Sequence, residues 1–102
     1  MSNVIILYEF HGDAEDLKKR LDALVDEVVE MSSARPIIHL TVPREYGLMV
    51  ADVWSDEQAL RDFEQNPRLR EILSAHGMPE PKIGIYPVHR LGWPVSSQPM
   101  YR

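Results

Sequence analysis

Eight side chains in this sequence could carry chemistry: Tyr8, His39, Asp52, Trp54, Phe63, His76, Tyr86 and His89. Asp52 is the most informative. It stands in the run Leu48-Met49-Val50-Ala51-Asp52-Val53-Trp54, where strand alternation places Leu48, Val50, Asp52 and Trp54 on one face. If that face is covered, a carboxylate sits among apolar groups. Its pKa is then expected to rise, making it a candidate general base for a phenol or an acidic C–H. The plainer alternative is an Asp near a strand end that accepts hydrogen bonds from backbone or from an Arg. Trp54 offers a flat wall for an aromatic ligand and an N–H donor, although a Trp at a strand-to-helix junction can equally be core.

His39, His76 and His89 are candidate proton shuttles near neutral pH, and each can also be a structural or surface histidine. His76 falls on an apolar helical stripe and could instead be a cation favoured at a helix C-terminus. Tyr8 and Tyr86 are candidate hydrogen-bonding walls of a pocket, with Tyr8 on the same strand face as Val4, Ile6 and Phe10. No histidine pair has a compact ligand spacing such as H-x-x-x-H, so no metal is expected. The glycines form neither a phosphate loop nor a dinucleotide fingerprint, so no cofactor is expected.

These residues need elements to hold them. Val4-Ile5-Ile6-Leu7-Tyr8-Glu9-Phe10 reads as a central strand, apolar on both faces. Asp13 caps a helix that carries Leu17, Leu21, Leu24, Val25 and Val28 and runs to about Met31. Ile37 to Val42 is a second strand, and Pro43 to Gly47 a hairpin turn into the third. Ser55 and Gln58 form a capping box for a second helix bearing Ala59, Leu60 and Phe63. Asn66-Pro67 restarts that helix, which continues through Leu69, Ile72, Leu73 and His76 until Gly77 closes it. Lys82 to about Leu91 is the last strand, followed by a Pro- and Ser-containing tail from Gly92 to Arg102 that is either disordered or lies on a partner.

The order β-α-β-β-α-β is the ferredoxin-like, split βαβ arrangement of the α+β class: a four-stranded antiparallel sheet with two helices on one face. Two helices cover one face only, so the apolar residues on the other face call for a second sheet, and a symmetric homodimer is the economical solution. A chain of 102 residues makes one domain, placed at residues 1–91, and buries only about two-thirds of its unfolded surface, which also favours a partner subunit.

Composition narrows the classes further. The hydrophobic content of 44% and charged content of 26% are those of an ordinary globular protein. A net charge of −5, with basic residues interleaved among acids, excludes nucleic acid and anionic membrane as main partners. The chain has no cysteine, hence no disulfide framework, thiolate metal site or cysteine nucleophile. Met1-Ser2-Asn3 leads directly into a strand pattern without signal-peptide features, and the expected location is the cytoplasm.

Over residues 3 to 91 the chain resembles the dimeric α+β barrel superfamily, and within it the antibiotic-biosynthesis-monooxygenase-like group. The resemblance rests on Gly47-Leu48 through Asp52-Val53-Trp54-Ser55, a strand ending in an aromatic residue followed at once by a capped helix, with Asn66-Pro67 inside that helix. It implies a homodimer with an apolar cavity between sheet and helices in each subunit, taking an aromatic or polyketide-like molecule. The implied activity is cofactor-independent monooxygenation, with cyclisation, isomerisation and non-catalytic ligand binding as alternatives. Polyketide cyclases of the superfamily carry a Tyr and a His on the second helix where this chain has Phe63 and Leu69. Haem-degrading members carry a Trp and a His where it has Phe63 and Leu73, and an Asn in the first strand that it lacks. The quinone-forming monooxygenases use a Trp at the end of the third strand, the place of Trp54.

Overall fold

The structure, a computed structural model, describes residues 3–92. The elements are β1 (Val4–His11), α1 (Ala14–Met31), β2 (Ile38–Arg44), β3 (Gly47–Trp54), α2 (Glu57–Glu64), α3 (Pro67–Ala75) and β4 (Lys82–Pro87). The strands form one antiparallel sheet in the order β2-β3-β1-β4, so β1 and β3 are the two inner strands. This is the ferredoxin-like α+β fold, with one difference: the second helical segment is two helices. Asn66 caps α3 by accepting from the Arg68 amide, and Pro67, which has no N–H to donate, occupies the first turn where none is needed. The cap of α2 is Asp56, which accepts from the Gln58 and Ala59 amides, one residue later than the Ser55 capping box. Strand β4 ends at Pro87, four residues short of Leu91, opposite Val4 where its partner β1 begins; one further bond, from the Val88 amide to the Asn3 carbonyl at 2.9 Å, follows it. The tail beyond residue 92 lies outside the described residues.

Alternation along β1 is complete: Val4, Ile6, Tyr8 and Phe10 are buried under the helices, and Ile5, Leu7 and Glu9 point the other way. Leu48, Val50, Asp52 and Trp54 of β3 share the covered face. Leu17 and Leu24 of α1, Leu60 of α2, and Leu69, Ile72 and Leu73 of α3 close the core over them. The helices are fastened to one another at α3's C-terminus. Gly77, at φ +73, lets its own amide bond to the Ser74 carbonyl and the Met78 amide to the Leu73 carbonyl at 2.9 Å, a Schellman ending. Arg20 of α1 donates to the His76 carbonyl at 3.0 Å, and the His76 ring bonds to Glu27 of α1.

No helix or strand of the described residues covers the opposite face of the sheet. Ile38, Leu40 and Tyr86 lie there, 40 to 53% exposed. A Cβ on Gly84 would come within 2.6 Å of the Tyr86 hydroxyl, so glycine is what allows the Tyr86 ring to lie flat over the strand.

Hairpin β2–β3 sets the geometry that matters most for the site. Arg44 pairs with Gly47 across the two-residue turn Glu45-Tyr46, and the ladder then runs back through Thr41 opposite Val50 to His39 opposite Asp52. Gly47 has φ +148, and a Cβ there would run into the Phe10 carbonyl oxygen and lie 2.9 Å from the Gly12 nitrogen. Gly47→Ala is therefore expected to destabilise the fold by about 2 kcal/mol or more, lowering the melting temperature by on the order of 10 °C. Thermal unfolding followed by circular dichroism measures this; a melt within about 2 °C of the parent would show that the hairpin end is slack.

Candidate functional site

The covered face of the sheet does not fill completely. A cavity of about 80 Å³ remains between it and the helices. Its floor is Tyr8 and Phe10 of β1 with Val50 and Asp52 of β3. Leu21, Leu24, Val25 and Val28 of α1 form one wall, and Phe63 of α2 with Leu69 and Leu73 of α3 form the other. The mouth lies between α1 and edge strand β2, where Val25 is 42% exposed and the His39 side chain 48% exposed.

Apart from Tyr8, His39 and Asp52, every wall residue is apolar. Asp52 is 6% exposed, the one charged residue among the buried ones described. It is not alone there: His39 Nδ1 lies 2.5 Å from Asp52 Oδ1. An ionised carboxylate can only accept, so Nδ1 carries the proton and a neutral His39 presents an unprotonated Nε2 on the other edge of its ring. The hydrogen bond to Asp52 raises the imidazole above its ordinary value of 6.5; partial burial opposes this, and the carboxylate's charge adds to it. A carboxylate so placed fixes the tautomer and orientation of the imidazole, an arrangement that can serve general-base catalysis.

Tyr8 is 5% exposed, and its hydroxyl is buried without a hydrogen-bond partner among the described residues. Burial pushes the phenol well above its usual range, and the charges of Asp52 and Glu64 push it further, while Arg70 pulls the other way. The group therefore stays protonated at neutral pH and can act as a donor to an acceptor entering the cavity. A buried donor left unpaired costs about 1–3 kcal/mol, so a ligand oxygen that satisfied it would gain from doing so.

Three sequence-derived candidates converge here directly, Asp52, His39 and Tyr8, and Phe63 joins them as an apolar wall. The others lie elsewhere. Trp54 is on the expected face but sealed in the core, outside the cavity wall, with its ring 5.2 Å from that of Phe63 and its Nε1 unpartnered. His76 caps α3 and ties it to Glu27, away from the cavity lining. Tyr86 lies on the uncovered face of the sheet, and His89 is exposed beyond β4. The sequence reading left Asp52 either as a carboxylate among apolar groups or as an acceptor from backbone or an Arg; in the structure its partner is His39. Counting back from the hairpin would have found it, since any two residues opposite each other in this ladder have numbers of constant sum. The α1 wall was legible as a helical stripe, though not as a cavity.

Solved structures with this fold support the architectural reading. SnoaB from Streptomyces nogalater, a cofactor-independent oxygenase, is 15% identical over 92% of this chain and 99% of its own, with a TM-score of 0.64. The ActVA-Orf6 monooxygenase of Streptomyces coelicolor, solved with the ligand nanaomycin D, is 18% identical over 91% and 92%, with a TM-score of 0.64. A conserved protein from Methanosarcina mazei is 17% identical over 84% and 92%, with a TM-score of 0.60. At these identities the likeness is one of fold, and it agrees with the ferredoxin-like α+β architecture. No protein-family model matches the sequence, and no curated protein matches it. Among the described residues no helix is long and apolar enough to cross a membrane.

The His39–Asp52 pair has a measurable signature. Because the folded pKa of His39 is raised, the pair's stabilisation is complete below about pH 6.5, within the range where carboxylates are ionised, and is lost as pH rises through the folded value. An NMR titration of the His39 ring is expected to give a midpoint above 6.5 that falls in Asp52→Asn. A midpoint that ignores the substitution would mean the contact is not made in solution.

Proposed function

We propose that the protein binds an aromatic or polyketide-like phenolic small molecule in this cavity and oxidises it with dioxygen without a cofactor. The observation that carries the reading is the meeting of an oriented imidazole, a buried neutral phenol and apolar walls around one cavity. In this scheme His39 Nε2 removes a proton from an acidic C–H of the substrate, and Asp52 stabilises the imidazolium that forms. Tyr8 donates to the substrate oxygen on which negative charge develops. The carbanion gives its electrons to dioxygen and forms a C–O bond. Cleavage of the O–O bond then leaves a carbonyl and releases water, so a CH₂ centre plus O₂ becomes C=O plus H₂O with no external reductant. SnoaB's description as a cofactor-independent oxygenase supports the choice of this reaction for a shared fold.

A second reading, cofactor-free isomerisation or cyclisation, uses the same proton transfer and needs no oxygen. A third, non-catalytic ligand binding or dimerisation, is favoured by the volume: about 80 Å³ is well below the ~300 Å³ at which drug-sized pockets begin. Oxygen uptake and product mass with a panel of resorcinols, naphthols and anthrones separates them. Oxygenase activity is expected to fall about 10²- to 10⁴-fold in His39→Gln and strongly in Asp52→Asn. In the parent, kcat/KM is expected to rise with pH through the raised His39 value, since only the neutral ring is a base. An altered product under argon would favour the isomerase or cyclase, and binding without turnover the third reading.

The proposed assembly is a homodimer in which the uncovered face of residues 1–91 packs on that of a second copy. Ile38, Leu40 and the flat Tyr86 ring would form the contact. Light scattering at micromolar concentration is expected to return twice the mass of one chain, and Leu40→Glu to reduce it. A monomer at that concentration would contradict the packing.

A further inference from the structure

The cavity is small for the substrates its walls suit, and the reason is local. An engineered apolar cavity of about 150 Å³ holds one benzene ring. At about 80 Å³ this one takes a ring only if part of it stays in the mouth between Val25 and His39. On the side toward Trp54 the wall is Phe63. It occupies the last turn of α2, directly before the Asn66-Pro67 break, and its ring lines the cavity on one side while packing against Trp54 on the other, centroids 5.2 Å apart and planes tilted by 48°. Beyond it lies a buried indole whose Nε1 has no partner among the described residues. Leu24 and Leu73, by contrast, are buried members of the main core, whereas Phe63 is only partly buried at its margin.

We propose that Phe63 is the specificity-determining residue of this site, restricting it to a single unfused phenolic ring, with any further bulk of the substrate attached at the edge left in the mouth. The inference rests on the cavity being the substrate site, and adds the ring number and the residue that sets it. Truncating Phe63 opens the cavity toward Trp54 and makes room for a fused second ring.

The test is binding, independent of turnover: calorimetric titration with 5-methylresorcinol, 1-naphthol and anthrone, using the parent chain, Phe63→Ala and the milder Phe63→Leu, with thermal melts to select variants that remain folded. The parent is expected to bind 5-methylresorcinol roughly tenfold or more tightly than anthrone. The ratio should narrow in Phe63→Leu and narrow further or invert in Phe63→Ala. Equal affinity of the parent for one and three rings, or a ratio unchanged in the folded Phe63 variants, overturns the role of Phe63 and leaves the site itself standing. Binding of 5-methylresorcinol that is indifferent to Tyr8→Phe overturns both, because the ligand would then be held elsewhere.

Discussion

A carboxylate buried under apolar helices is costly unless something answers its charge, and the site follows from how Asp52 meets that requirement. Its partner, His39, is on the neighbouring strand and directly opposite. That contact exists only in one register. A slip of a single residue between β2 and β3 would turn His39 to the uncovered face and leave Asp52 buried with no partner. The register in turn is held by the two-residue hairpin at Glu45-Tyr46 and by Gly47, whose close approach to the Phe10 carbonyl admits no side chain. A feature that looks catalytic and one that looks purely architectural are thus the same constraint seen from two ends of the hairpin.

The helices supply the other half. Helix α1 is long enough to place a stripe from Leu17 to Val28 over the inner strands, and the break at Asn66-Pro67 turns what would be one helix into two short ones. That break lets Phe63 and Leu69 approach the cavity from different helices. The fastening of α3 to α1, through Arg20 on the His76 carbonyl and Glu27 on the His76 ring, holds the two walls at a fixed separation. His76 does its work there, by tying helices together at the rim of the core.

Much of this was legible in the sequence because the signals were periodic. Alternation grouped Tyr8 with Val4, Ile6 and Phe10 in β1 and Asp52 with Leu48, Val50 and Trp54 in β3, and the caps at Asp13 and Asn66 marked helix starts correctly. The errors have local causes. Ser55 and Asp56 are both good caps, and only the folded chain decides which side chain reaches the Gln58 and Ala59 amides. Trp54 lies on the right face yet outside the cavity, because a face is one-dimensional information and a cavity wall is not: Phe63 stands between the indole and the open volume. The His39–Asp52 pair was hidden for a different reason. The two are thirteen positions apart in sequence, and they meet only when the turn is counted residue by residue.

The site divides its roles by pushing two ordinary groups in useful directions. His39 and Tyr8 both have raised pKa values, and the consequences are opposite. For an imidazole, a higher value means a stronger base at the pH where it is still neutral, provided a carboxylate holds the proton on the far nitrogen. For a phenol, a higher value removes it from acid–base chemistry and leaves a fixed donor. Asp52 contributes to both shifts, through a hydrogen bond to one group and through its charge at the other. One buried carboxylate therefore sharpens the distinction between an imidazole that can take a proton and a phenol that keeps its own.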